Sequence, residues 1–66
     1  MTVIVNGQEQ QVPEGTTVAA LVDKLGLGGA ACAAEVNREL VPKRRQAERA
    51  LHEGDRVELV SLVGGG

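Results

Sequence analysis

The sequence predicts an α+β domain: a mixed sheet of four to five strands with one main helix packed on one face. Three features point to it. A β-branched run, TVIVN at 2–6, meets Asn6-Gly7, a dipeptide that favours positive φ and closes two-residue hairpins. A single amphipathic stripe, Val18, Leu21, Val22 and Leu25, falls at i, i+3, i+4 and i+7. The longest strand pattern, Arg56 to Val63, comes last. One helix stripe has to bury its apolar side against one face of a sheet. If the first and last strands lie side by side, the connection between them runs through that helix.

Each element has a local reason. Gln8 to Val12 returns from the hairpin and is polar at most positions, which suits an edge strand ended by Pro13. Thr16 or Thr17 supplies the side-chain oxygen that caps the free N–H groups of a first helical turn. Gly26, just past Leu25, stops the helix, and Leu27-Gly28-Gly29 reads as a loop. Short strands are expected over Ala33 to Val36 and Glu39 to Val41, joined by a tight turn at Asn37-Arg38 and closed by Pro42. Gln46 to Leu51 is compatible with a helical turn, and Glu53-Gly54-Asp55 with a reverse turn before the last strand.

Composition excludes several classes of function. A chain of 66 residues is one small domain, and such a domain buries only roughly 60% of its unfolded surface. Few residues can be spared from its core for an enclosed active site. There is no Phe, Tyr or Trp, so bases cannot stack on aromatic platforms. A net charge of −2 also argues against nucleic acid as a partner. The basic triplet Lys43-Arg44-Arg45 stands between Glu39 and Glu48 and reads as a solvated loop. Cys32 and His52 are each the sole residue of their kind, so neither an internal disulfide nor a Cys/His metal set can form. Gly26 to Gly29 lacks the Lys-Ser/Thr of a phosphate-binding loop. No targeting or membrane-spanning segment is evident, and a soluble, cytoplasmic protein is expected.

The ending, LVSLVGGG at 59–66, raises the functional question. Three consecutive glycines lose more backbone freedom on ordering than any other residues and stabilise nothing. They divide the chain into a domain over 1–63 and a tail over 64–66. A plain frayed terminus is one reading. The other is that a partner needs a slim chain end.

Several stretches decide between them by resemblance: VIVNGQ at 3–8, PEGTTVAALVDKLGL at 13–27, AAEVNRELVP at 33–42, LHEGDRVELVSLV at 51–63, and Gly65-Gly66. In order, spacing and total length the chain resembles the ThiS family, sulfur carriers of thiamine (thiazole) biosynthesis with a ubiquitin-like β-grasp fold. Gly64 departs from the pattern by lengthening the ending to three glycines, and Cys32 belongs to no motif of the family. The resemblance implies that Gly66 is the reacting residue. An E1-like, ThiF-like adenylating enzyme would join its carboxylate to AMP using MgATP, and sulfur from a persulfide donor would replace AMP to give a thiocarboxylate. Thiazole synthase (ThiG-like) would receive the sulfur. No cofactor is expected to be bound. Gly64 and Gly65 would let the end thread a narrow channel, because a Cβ adds width and restricts φ and ψ.

Alternation in the outer strands suggests where a partner holds on. Val3, Val5, Val57 and Leu59 are assigned to the helix-covered core. Ile4, Val60 and Leu62 then fall on the open face near the tail, rimmed by Arg56 and Glu58, as a docking surface would be. Other readings share parts of this pattern. A carrier for molybdopterin or cysteine synthesis would use the same tail chemistry, although the molybdopterin carriers are longer and hold an aromatic residue near their glycines. A ubiquitin-like modifier would share the first activation step, and a plain interaction module would make no use of the tail.

Overall fold

In a computed structural model the described residues are 1–26 and 32–61, without the side chains of Cys32 and Ser61. The loop expected at 27–29, Ala31, the last two residues of the strand expected to run to Val63 and the tail 64–66 lie outside them. The elements run β1 (Thr2–Val5), β2 (Gln8–Gln11), α1 (Val18–Lys24), β3 (Cys32–Val36), β4 (Glu39–Val41), a 3-10 turn (Lys43–Arg45) and β5 (Arg56–Ser61). The five strands form one sheet in the order β2-β1-β5-β3-β4. β1 and β5 are parallel, and every other neighbouring pair is antiparallel. This is the mixed-sheet, β-grasp arrangement expected, with the polar β2 at one edge and the parallel pair in the middle.

Two-residue turns fix the register of both hairpins. Asn6 and Gly7 have φ of 49° and 84°, and Asn37 and Arg38 have φ of 52° and 71°. Consecutive left-handed residues twist in the same sense as the flanking strands, which is why such turns join them. Asn tolerates this region and glycine adopts it freely, whereas Arg38 enters it against the steric preference of an L side chain.

Helix α1 is only seven residues long and would not persist alone. Its N-terminus is secured by three different acceptors. Thr17 Oγ1 accepts from Ala20 N–H at 3.1 Å, the Arg49 carbonyl accepts from Val18 N–H at 3.0 Å, and the Gln46 carbonyl accepts from Ala19 N–H at 2.9 Å. Thr17 is therefore the cap; Thr16 instead donates its hydroxyl to the Pro13 carbonyl. At the other end Gly26, at φ 78°, donates its N–H to the Asp23 carbonyl. Lys24 Nζ reaches the Gln11 carbonyl at 2.8 Å and ties the helix end to β2.

The same bonds explain a departure from expectation. The helical turn lies at Lys43–Arg45, started by Pro42 at φ −59°, and not at 46–51. The carbonyls of Gln46 and Arg49 point across to α1, so this segment cannot close an α-helix on itself. It continues as turns, with Thr17 and Ala50 forming an isolated bridge, and delivers Leu51 to the core.

That core is one cluster: Val3, Val5, Val12, Val18, Leu21, Val22, Ala34, Val36, Val41, Leu51, Val57 and Leu59. Met1 and Leu25 pack on its margin, so the stripe predicted for α1 is buried at three positions and half-buried at the fourth. Every member is aliphatic, as a chain without aromatic residues requires. Arg38→Gly should raise stability by up to about 1 kcal/mol, because the left-handed strain removed outweighs the added freedom of the unfolded chain. Chemical denaturation measures this, and a less stable variant would contradict the account of the turn.

Candidate functional site

β5 is the strand on which the candidate site is built. It pairs with β1 through Ile4↔Arg56 and Val5↔Val57, and with β3 from Val36↔Val57 to Cys32↔Ser61. Its alternation is sharp. Val57 and Leu59 are buried beneath α1, while Arg56, Glu58 and Val60 are exposed on the open face, Val60 to 57%. The core assignment of Val3, Val5, Val57 and Leu59 holds at all four positions.

The open face brings together most of the residues proposed from sequence. Ile4 is half-buried and stands in register with Arg56. Val60 is opposite Ala33, and Glu58 is directly opposite Glu35. Glu9, in register with Ile4, adds another carboxylate on the β2 side. Leu62, Gly64, Gly65 and Gly66 lie outside the described residues.

Leu40 was not anticipated. It is 64% exposed and pairs with Glu35, which puts it on the same face as Val60. The signal was present. A two-residue turn at 37–38 forces the pairs Val36↔Glu39, Glu35↔Leu40 and Ala34↔Val41, so Val41 goes inward and Leu40 outward.

Two asparagines were read only as turn residues, and both do more. Beyond Asn6 the β1 chain turns away, and the next two backbone groups of β5 on that side lose their ladder partners. The Asn6 side chain supplies both: Oδ1 accepts from Leu59 N–H at 2.9 Å, and Nδ2 donates to the Leu59 carbonyl at 3.2 Å. Asn37 acts likewise at the start of β5. Its N–H donates to the Arg56 carbonyl at 2.7 Å, and its Oδ1 accepts from Arg56 N–H at 3.0 Å. Asn37 Nδ2 also donates to Asp55 Oδ1, while Asp55 Oδ2 accepts from His52 N–H at 2.8 Å. Composition and periodicity carry no signal for such side-chain rungs, because they depend on where two distant segments meet.

The described residues hold nothing resembling an acid–base or nucleophilic constellation. A cleft of about 490 Å³ lies between β4 and the segment 42–49, lined by Leu40, Pro42 and the charged ends of Glu39, Arg45, Glu48 and Arg49. Arg49 and Glu39 approach to 3.7 Å there, an exposed pair of little energetic weight. Among the described residues no three His, Cys, Asp or Glu side chains are grouped to hold a metal ion, and no helix is long and apolar enough to cross a membrane.

The sequence-family model for ThiS matches residues 3–66. The chain belongs to the ThiS family. It is 30% identical to the sulfur carrier protein ThiS of Escherichia coli (strain K12) over 66 residues, covering all of both chains. It is also 39% identical over its whole length to a thiazole synthase of Paramagnetospirillum magneticum (strain AMB-1), of which it spans only 20%. The crystal structure of the thiamine biosynthesis protein ThiS from Geobacter metallireducens superposes with a TM-score of 0.82 at 29% identity, with full coverage of both chains.

The contrast between the two faces of β5 has a measurable consequence. Val60→Glu should change stability by no more than about 0.5 kcal/mol, as expected of an exposed position. Val57→Glu should prevent folding, because it buries an unpaired charge beneath α1. Denaturation of the two variants side by side checks the assignment, and a severe loss from Val60→Glu would place that side chain in the core.

Proposed function

We propose that this ThiS-family chain is a sulfur carrier for thiazole formation, acting as a covalent cosubstrate and not as an enzyme. The observation that carries the reading is its similarity to a sulfur carrier protein over the whole of both chains, terminal glycines included. The similarity to a stretch of a thiazole synthase supports that enzyme class as the sulfur acceptor.

The chemistry starts from a carboxylate, which is a poor electrophile because its charge repels nucleophiles and oxide is a poor leaving group. In the proposed sequence a Gly66 oxygen attacks the α-phosphorus of MgATP in a ThiF-like, E1-like partner, and pyrophosphate leaves. The acyl-adenylate now has AMP as its leaving group. The terminal sulfur of a persulfide attacks the carbonyl carbon and AMP departs with the bonding electrons. A thiol then reduces the resulting acyl disulfide, leaving the thiocarboxylate on Gly66 and a disulfide on the donor side. A thio acid is ionised at neutral pH and its sulfur is polarizable, so the tail delivers a ready nucleophile.

The body of the domain supplies the grip. Ordering glycines on binding costs conformational entropy, so the docking energy comes from the folded part. The open face, with Ile4, Val60 and Leu40 among the charges of Arg56, Glu58 and Glu35, is the surface proposed to meet the adenylating partner, and Leu62 is proposed as a further contact.

Incubation with the adenylating partner, MgATP and a persulfide donor should add the mass of sulfur minus oxygen to the intact chain. The gain should vanish when Gly66 is deleted, and the product should support thiazole phosphate formation by thiazole synthase. A chain lacking Gly66 that still gains the mass would exclude the terminal carboxyl as the reacting group. Val60→Glu should raise KM for adenylation at least tenfold with its fold intact, and an unchanged KM would remove the open face from the docking surface.

A further inference from the structure

The geometry points to Asn6 as a positioning residue for the reacting tail. The inference rests on the carrier reading and adds to it a part of the domain that neither touches the partner nor reacts. Three observations support it. β5 carries the docking side chains Arg56, Glu58 and Val60 and leads on to residues 62–66. Its backbone pairing with β1 covers only Ile4↔Arg56 and Val5↔Val57. On that side Leu59 is then held by both polar atoms of the Asn6 side chain, at 2.9 and 3.2 Å.

Asn6 thus carries the hold of the β1 side on β5 two residues closer to Gly66 than the β1 backbone alone would. Without it, the outgoing end of the strand is secured by β3 alone, through Leu59, Val60 and Ser61. Residues 59–61 then keep only one of their two neighbouring strands, and the strand end from which the chain continues to Gly66 is held less closely. Val60 lies in that stretch, so KM responds through its docking contact, and the positioning of the terminal carboxylate is read in kcat.

The matching clamp at the other end of β5 is the control. Asn37 makes the same kind of side-chain rung, to Arg56, but at the end of the strand remote from the tail. Asn6→Gly keeps a residue suited to φ 49° and removes the amide. Asn6→Asp keeps the shape and sets an oxygen against the Leu59 carbonyl.

The experiment measures pyrophosphate release by the ThiF-like partner with carrier concentration varied, alongside amide hydrogen exchange of each isolated chain. Asn6→Gly should lower kcat about twofold or more and speed exchange at Leu59 at least tenfold; Asn6→Asp, which keeps an acceptor for Leu59 N–H, should speed that exchange less. Asn37→Gly should leave kcat and the Leu59 amide as in the wild type. Unchanged kcat in Asn6→Gly, or an equal fall in Asn37→Gly, would overturn the positioning role. Unchanged exchange at Leu59 in Asn6→Gly would overturn the clamp itself. A wild-type chain that the partner does not adenylate would instead overturn the carrier reading, and the exchange result would still judge the clamp.

Discussion

The arrangement depends on the insertion of the last strand between the first and third. β5 has a hydrogen-bonded neighbour on each side, one parallel and one antiparallel. A parallel pair cannot be closed by a tight turn and needs a crossover. Helix α1 lies in that connection and covers one sheet face, which leaves the other face open. The division into a helix-covered side and a bare side follows from placing β5 beside β1. Since β5 also carries side chains proposed for docking and precedes the glycines in sequence, one strand links the core, the open face and the chain end.

A strand in that position needs partners along its length, and the two short hairpins do not supply enough backbone. Each hairpin contributes the side chain of its first turn residue instead. Asn suits both tasks at once, because it tolerates the left-handed conformation that the turn requires and carries a donor and an acceptor side by side. A glycine in the same place would satisfy the turn and leave Leu59 or Arg56 without its rung. The valine-asparagine pairs at 5–6 and 36–37 are therefore equivalent devices, each ending a strand on the core side and securing β5 with the next residue.

Most of the fold was legible because it rests on local chemistry. The Asn6-Gly7 turn, the Val18-Leu21-Val22-Leu25 stripe, the Thr17 cap, the Gly26 stop and the inward Val57 and Leu59 are all set within a few residues of themselves. What escaped the sequence is what two distant segments make together. Gln46 to Leu51 favoured a helical turn by itself, and its carbonyls went to the start of α1 instead. Asn6 and Asn37 looked complete as turn residues until β5 was placed beside them. Leu40 and Val41 are equally apolar, and only the parity of the second hairpin separates them. For the site, the placement of Ile4, Arg56, Glu58 and Val60 on the open face was legible by alternation, whereas the role proposed for Gly66 rests on resemblance, because three glycines specify no chemistry by themselves.

The two faces of the sheet differ in how well their residues are matched, and this bears on function. Under the helix the matching is thorough: the core is uninterrupted aliphatic surface, and among the described residues no buried side-chain nitrogen or oxygen lacks a hydrogen-bond partner. On the open face, Glu35 and Glu58 stand directly opposite each other, an arrangement that destabilises a strand pair by roughly 0.2–1 kcal/mol. Val60 and Leu40 are exposed beside them. A domain of this size has little stability to spare. Local rules broken on one face, while kept throughout the other, mark the face whose residues answer to something outside the fold. Apolar side chains among these carboxylates suit a partner surface that brings apolar contacts together with lysine or arginine. On the proposed docking reading, the facing carboxylates and the exposed side chains are unfavourable only while the domain is free, and a partner of that kind would offset both together.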